Sequence, residues 1–105
     1  MLDMKRIKSD SQLPPPVADN LRELGWRVAS ARKIQRLRQE DLSAMAGISR
    51  STLTEIEKGS PFVSIGSYMA VLWALGIMSE ILATEMSDEE RRLVASELPK
   101  RVRNG

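Results

Sequence analysis

Neither cysteine nor histidine occurs in this 105-residue chain. Their absence excludes disulfides, thiolate or imidazole metal sites, a cysteine nucleophile and a histidine base within the chain. No group of carboxylates has the loop spacing of a cation site, so neither a metal nor a cofactor is expected. The remaining carboxylates, lysines, serines and the one tyrosine are not gathered into any catalytic pattern, and an enzyme is not expected. Aromatic residues are few: one Phe, one Tyr and two Trp. A core must therefore come from Leu, Ile, Val, Ala and Met on helices. That favours an all-α fold over a sandwich, where β-branched and aromatic residues alternate. No apolar run approaches the roughly 18 residues of a membrane span. Met1 to Lys8 is too charged for a signal peptide, which leads to the expectation of a cytoplasmic protein. The length suits one compact domain with a modest core and short tails.

Net charge is only +2, but its distribution is uneven. Between residues 22 and 38 stand Arg22, Arg27, Arg32, Lys33, Arg36 and Arg38, against the single acid Glu23. Such a run suits an anionic partner, although a solvated helix face accounts for it as well. Residues 1–16 are polar and basic and end in Pro14, Pro15 and Pro16, so they read as an arm leading into a first helix. Apolar residues at Val17, Leu21, Leu24, Val28 and Ala31 place that helix over about 17–34. Gly25 within it marks a bend or a close approach. A second helix is expected over 39–46, burying Leu42, Met45 and Ala46 and stopped by Gly47. Ser49 caps a third over 50–58, stopped by Gly59. Pro61 and Ser64 introduce a fourth over 65–75, with Met69, Leu72 and Trp73 among its apolar positions. A short fifth segment spans 78–83. Ser87-Asp88-Glu89-Glu90 then opens a last helix to about Leu98, before Pro99 and the basic Lys100, Arg101 and Arg103.

The second and third helices, joined by Ala46-Gly47-Ile48, have helix-turn-helix form. At 100° per residue, Thr52, Leu53 and Ile56 point to one side of the third helix and Ser51, Thr54, Glu55 and Lys58 to the other. Short hydroxyl side chains on that outer side let a helix axis approach base edges closely. Arg50 at its start can fork onto guanine O6 and N7. An ordinary pair of short bundle helices gives the same outline, so the pattern by itself leaves both readings open.

The segment from Arg32 to Gly59 (RKIQRLRQEDLSAMAGISRSTLTEIEKG) closely resembles the Cro and phage-repressor helix-turn-helix family, also called the xenobiotic-response-element family. The likeness rests on Gln39, Leu42, Gly47, Ser49, Leu53, Ile56, Glu57 and Gly59 together and extends through Leu75-Gly76-Ile77. It implies a five-helix lambda-repressor-like domain, here with a short extra C-terminal helix, and a sequence-specific transcriptional repressor. Carried over residue by residue, it implies that Gln39 anchors a phosphate and that Ser49, Arg50, Ser51 and Glu55 face DNA. Lys33 and Arg38 would serve phosphates, as would backbone amides near Ser64. Thr54 joins the reading face. Arg32 would pair with Glu57, the alternative being a solvated Glu57 near Thr54. Three positions depart from the pattern: Arg38 stands where Ser or Thr usually caps the second helix, Arg36 where glycine is frequent, and Glu55 puts an acid on the DNA side.

The Pro-rich start, the phrase RKIQRLRQEDL and the ending LPKRVR resemble HipB-like antitoxins encoded beside HipA-like kinase toxins. That likeness implies an autorepressor binding both operator DNA and a HipA-like toxin. The alternative is a protein-interaction module that holds a toxin or other partner, with DNA binding secondary. One recognition helix touches few base pairs, so a homodimer on a palindromic operator is expected, with half-sites about 34 Å apart. Met78, Ile81 and Leu82 are candidates for its interface, with burial in the core the competing use. The expected organisation is an arm at 1–16, a DNA-binding domain at 17–84, and a C-terminal helix with basic tail at 85–105.

Overall fold

The computed structural model describes residues 12–83 and 85–97. They form α1 (Pro15–Ile34), α2 (Gln39–Ala46), α3 (Arg50–Glu57), α4 (Ile65–Leu75), α5 (Met78–Ile81) and α6 (Asp88–Glu97), with no strand among them. The all-α, five-plus-one arrangement expected from the sequence is present. None of these helices is long and apolar enough to cross a membrane. The expected basic tail, the stop at Pro99 and residues 1–11 of the expected arm lie outside the described residues.

α1 begins at Pro15, two residues before the first apolar position, because a first helical turn needs no N–H from its residues and two prolines fit there. The expected arm therefore loses its last two residues to α1. α5 is one turn, ending at Ile81 rather than near residue 83. Arg36, in the turn between α1 and α2, has φ 63°. A side chain is held there in the left-handed region, at a cost of roughly 1–2 kcal/mol, where the resembling family often has glycine.

The core gathers the inner faces of α1 to α4. Val28, Leu42, Leu53, Ile56, Val71 and Leu72 have no exposed surface, and Tyr68 and Leu75 complete the cluster. Burying each of the larger aliphatic side chains contributes about 1.5–3 kcal/mol. One expectation about this core fails, and one apolar position of α4 stays outside it. Met45 is 48% exposed, because α2 buries the arc of Leu42, Ala46 and Ser43, and Met45 lies beside it. Trp73 is 64% exposed, because α4 turns Tyr68, Val71, Leu72 and Leu75 inward and Trp73 falls opposite them.

Gly25 marks a close approach rather than a bend. A Cβ there would stand 2.6 Å from the carbonyl oxygens of Ile56 and Glu57, and one at Gly59 would stand 2.5 Å from the Leu21 carbonyl. α1 and the end of α3 thus meet backbone to backbone. This contact fixes the tilt at which α3 is held out from the core.

Candidate nucleic-acid interface

α3 is short, and its two sides do different work. Leu53 and Ile56 are wholly buried and seat it. Ser49 caps its start, accepting from the Thr52 amide at 3.0 Å while donating to the Thr52 hydroxyl at 2.8 Å. Arg50, Ser51 and Glu55 are exposed on the outer side. Lys58 stands 3.9 Å from Glu55, one helical turn away, and offsets part of its charge. Thr54, expected to be free on this side, is half-buried, with its hydroxyl donating to the Arg50 carbonyl at 3.1 Å. Its hydroxyl also lies 3.5 Å from the Gln39 oxygen on α2, which narrows the open surface of α3 to Arg50, Ser51 and Glu55. The Ser49 hydroxyl is likewise engaged in the cap.

Behind that surface runs a continuous polar chain. Arg32 on α1 grips Glu57 with two nitrogens, Nε to Oε2 at 2.7 Å and Nη2 to Oε1 at 3.2 Å, and its Nη1 donates to the Leu37 carbonyl at 3.0 Å. The two side chains are only 13% and 10% exposed. A carboxylate can only accept, so Glu57 turns the amide nitrogen of Gln39 toward itself, at 3.0 Å. The Gln39 oxygen is thereby aimed outward, 3.5 Å from both Arg50 Nε and the Thr54 hydroxyl. A buried ion pair thus orients a side chain at the start of α2 against the first residue of α3.

Arg38 precedes α2 without a hydroxyl cap, and Asp41 supplies what is missing. Its carboxylate accepts from the Arg38 amide at 2.8 Å and from the Arg38 guanidinium at 3.1 and 3.0 Å. Glu40 lies 3.0 Å from the same guanidinium. The hydrogen bond from the Arg38 side chain, helped by that from its backbone, holds the Asp41 carboxyl below the ordinary carboxylate range. The Arg38 pKa is correspondingly raised. Arg38 is an exposed cation that already carries two acids. An acid three residues into α2 is the half capping box whose spacing was readable in the sequence.

Lys33 is exposed in the last turn of α1. Ser64 caps α4, accepting from the Ser67 amide at 3.1 Å. The loop before it is pinned by Tyr68, whose hydroxyl donates to the Ser60 carbonyl at 2.6 Å. Burial, with the nearby charge of Glu55, pushes that hydroxyl up to about 12. Gln35 donates to the Leu75 carbonyl at 2.9 Å and ties the end of α1 to the end of α4. Neither Tyr68 nor Gln35 carried a sequence signal beyond its polar type. Met78, Ile81 and Leu82 all pack against the core and keep part of their surface exposed.

A family model described as helix-turn-helix matches residues 28–64, from the middle of α1 to the cap of α4. The chain is also 38% identical, over 61 residues, to the uncharacterized HTH-type transcriptional regulator y4mF of Sinorhizobium fredii. The match spans 58% of this chain and 80% of that relative.

Proposed function

The chain belongs to the helix-turn-helix family, with a lambda-repressor-like fold, and from that premise we propose that it is a dimeric, sequence-specific DNA-binding repressor. The observation that carries this reading is the outer side of α3, where Arg50 and Ser51 stand exposed on a helix seated by Leu53 and Ile56. Arg50 is placed to fork onto a guanine, and Ser51 is short enough to let the helix lie deep in the major groove. Gln39, with its oxygen fixed outward and its amide nitrogen held by Glu57, sits beside Arg50 at the edge of that groove. Glu55 is suited to accept from a cytosine N4. Lys33, Arg38 and the amides after Ser64 serve phosphates. Ser49 and Thr54 support this surface rather than read from it. Residues up to 84, beginning at α1, form the DNA-binding unit, and residues 85–105 follow it as a helix and basic tail.

Two copies on a palindrome give the specificity that one short helix lacks. The HipB-like phrases at the two ends support an antitoxin-type autorepressor that also holds a HipA-like kinase toxin. Selection of bound fragments from a random DNA pool tests the first part. Two inverted half-sites about 34 Å apart are expected, and a pool with no enriched sequence at low salt would overturn it. Copurification from the native host tests the second part: a stoichiometric kinase-like companion is expected, and a homodimer alone would remove the toxin. The alternative, an interaction module with DNA binding secondary, is favoured only if the companion is retained and no operator is selected.

A further inference from the structure

The first four helices end in the same way. After α1 the Arg36 amide donates to the Lys33 carbonyl and the Leu37 amide to the Arg32 carbonyl, both at 3.0 Å. The ends of α2, α3 and α4 are closed by the same pair of bonds, one spanning three residues and one spanning five. This closure needs a left-handed residue at its turning point, where a Cβ is unfavourable and glycine is the usual occupant. Gly47, Gly59 and Gly76 fill it with φ of 73°, 76° and 79°. At the end of α1 the occupant is Arg36, with φ 63°, the one non-glycine residue of positive φ among those described.

The backbone cannot relax around it, because both neighbours are held. Gln35 donates to the Leu75 carbonyl at 2.9 Å. The Leu37 carbonyl accepts from Arg32 at 3.0 Å, and Leu37 packs against the core. A strained conformation imposed from both sides persists whatever the side chain, so glycine would suit the fold better there than arginine. A cation near the last carbonyls of α1 interacts well with the helix dipole, but Arg32 and Lys33 already stand in that turn.

The charge of Arg36 is also uncompensated. Arg36 and Lys33 are both exposed, and neither forms an ion pair among the described residues. Arg38, by contrast, has Asp41 and Glu40 each at 3.0 Å. The positive field of the turn between α1 and α2 therefore comes from two like charges three residues apart, an arrangement suited to a polyanion. The same turn is fixed relative to the reading surface. Arg32 binds the Leu37 carbonyl, next to Arg36, with one nitrogen and holds Glu57 with the other two. Glu57 in turn holds Gln39 beside Arg50.

We propose that Arg36 is a DNA-backbone contact: a cation kept in a glycine position so that a phosphate beside the α1–α2 turn meets a guanidinium rather than bare main chain. The fold is less stable for it and DNA is bound more tightly. This rests on the DNA-binding reading above and adds to it a residue on which the salt dependence turns.

Three full-length variants separate strain from charge. Arg36→Lys keeps both, Arg36→Ala keeps the strain without the charge, and Arg36→Gly removes both. Urea midpoints are measured on each, together with affinities for the selected operator and for a random-sequence duplex across a salt series. Arg36→Gly is expected to unfold at higher urea than the wild type, and Arg36→Ala is not. Arg36→Ala and Arg36→Gly should both lose about tenfold in affinity near 0.1 M salt, on both duplexes alike. Their slope of log affinity against log salt should fall by about 1, while Arg36→Lys keeps the wild-type slope. A wild-type slope in Arg36→Ala and Arg36→Gly overturns the contact and leaves the DNA-binding reading standing. A wild type that binds neither duplex at low salt overturns both. A loss in Arg36→Gly that Arg36→Ala does not share comes from backbone freedom and also overturns the contact. An Arg36→Gly protein no more stable than the wild type overturns the claim that the fold gives up stability for this arginine.

Discussion

α3 and α6 are helices of similar length with opposite fates. α6 has the better local signals: Ser87 accepts from the Glu90 amide at 3.1 Å and Glu90 accepts from the Ser87 amide at 2.7 Å, a complete capping box. α3 has a single serine cap and only eight residues. Yet α3 has two side chains wholly buried and α6 has none. Caps fix where a helix starts; a buried face fixes whether it is held and at what angle. A reading surface needs the second property. α6 lacks it, with none of its ten residues buried.

The largest effect separating the two helices is expected at the buried ion pair. Glu57→Ala strands Arg32 and should cost about 3–5 kcal/mol in denaturant unfolding, while also releasing Gln39 and weakening DNA binding. A loss within surface-mutation range would mean that α3 is not seated as described. Gly25→Ala should follow, at about 1–3 kcal/mol, because α1 and α3 must separate to admit a methyl group. Urea titration with a native-like loss in midpoint would show it. On α6, Ser87→Ala should cost roughly 1 kcal/mol of local helix stability. Under dilute, monomeric conditions it should leave global unfolding unchanged. Hydrogen exchange should register the change in α6 amides alone, and a shift in the α3 amides would break the contrast.

The smallest effect concerns pH and α2. Arg38 depresses the Asp41 pKa in the folded chain, so the cap contributes fully above the ordinary carboxylate pKa of about 4. That contribution is lost as pH falls through the lowered folded value. The melting-temperature difference between the wild type and Asp41→Asn should be present at pH 7 and shrink in strong acid. A difference that persists unchanged would assign the cap elsewhere.

Much of this was legible from spacing. The Leu42, Leu53 and Ile56 positions, the turn at Gly47 and the caps at Ser49 and Ser64 are local patterns, and they hold. Met45, expected in the core, is exposed because periodicity defines a stripe but not which edge of it a third helix covers. Gly25 was ambiguous for a related reason: only the tertiary approach of α3 distinguishes a bend from a contact. In the candidate interface, the Arg32–Glu57 pair was implied by resemblance, whereas the link from Glu57 through Gln39 to Arg50 needs three elements in place. Thr54 shows the same limit, since a wheel places it outward while α2 half covers it.

In the proposed complex Arg50 reads a base while Arg38 serves the backbone. Affinities of the wild type, Arg50→Ala and Arg38→Ala for the selected operator and its single-base variants, across a salt series, test it most directly. Arg50→Ala should lose about 1–3 kcal/mol on the operator and become indifferent at one base pair. Arg38→Ala should weaken every site alike and flatten the salt dependence. An Arg50→Ala protein that keeps the wild-type preference at every position would contradict the account.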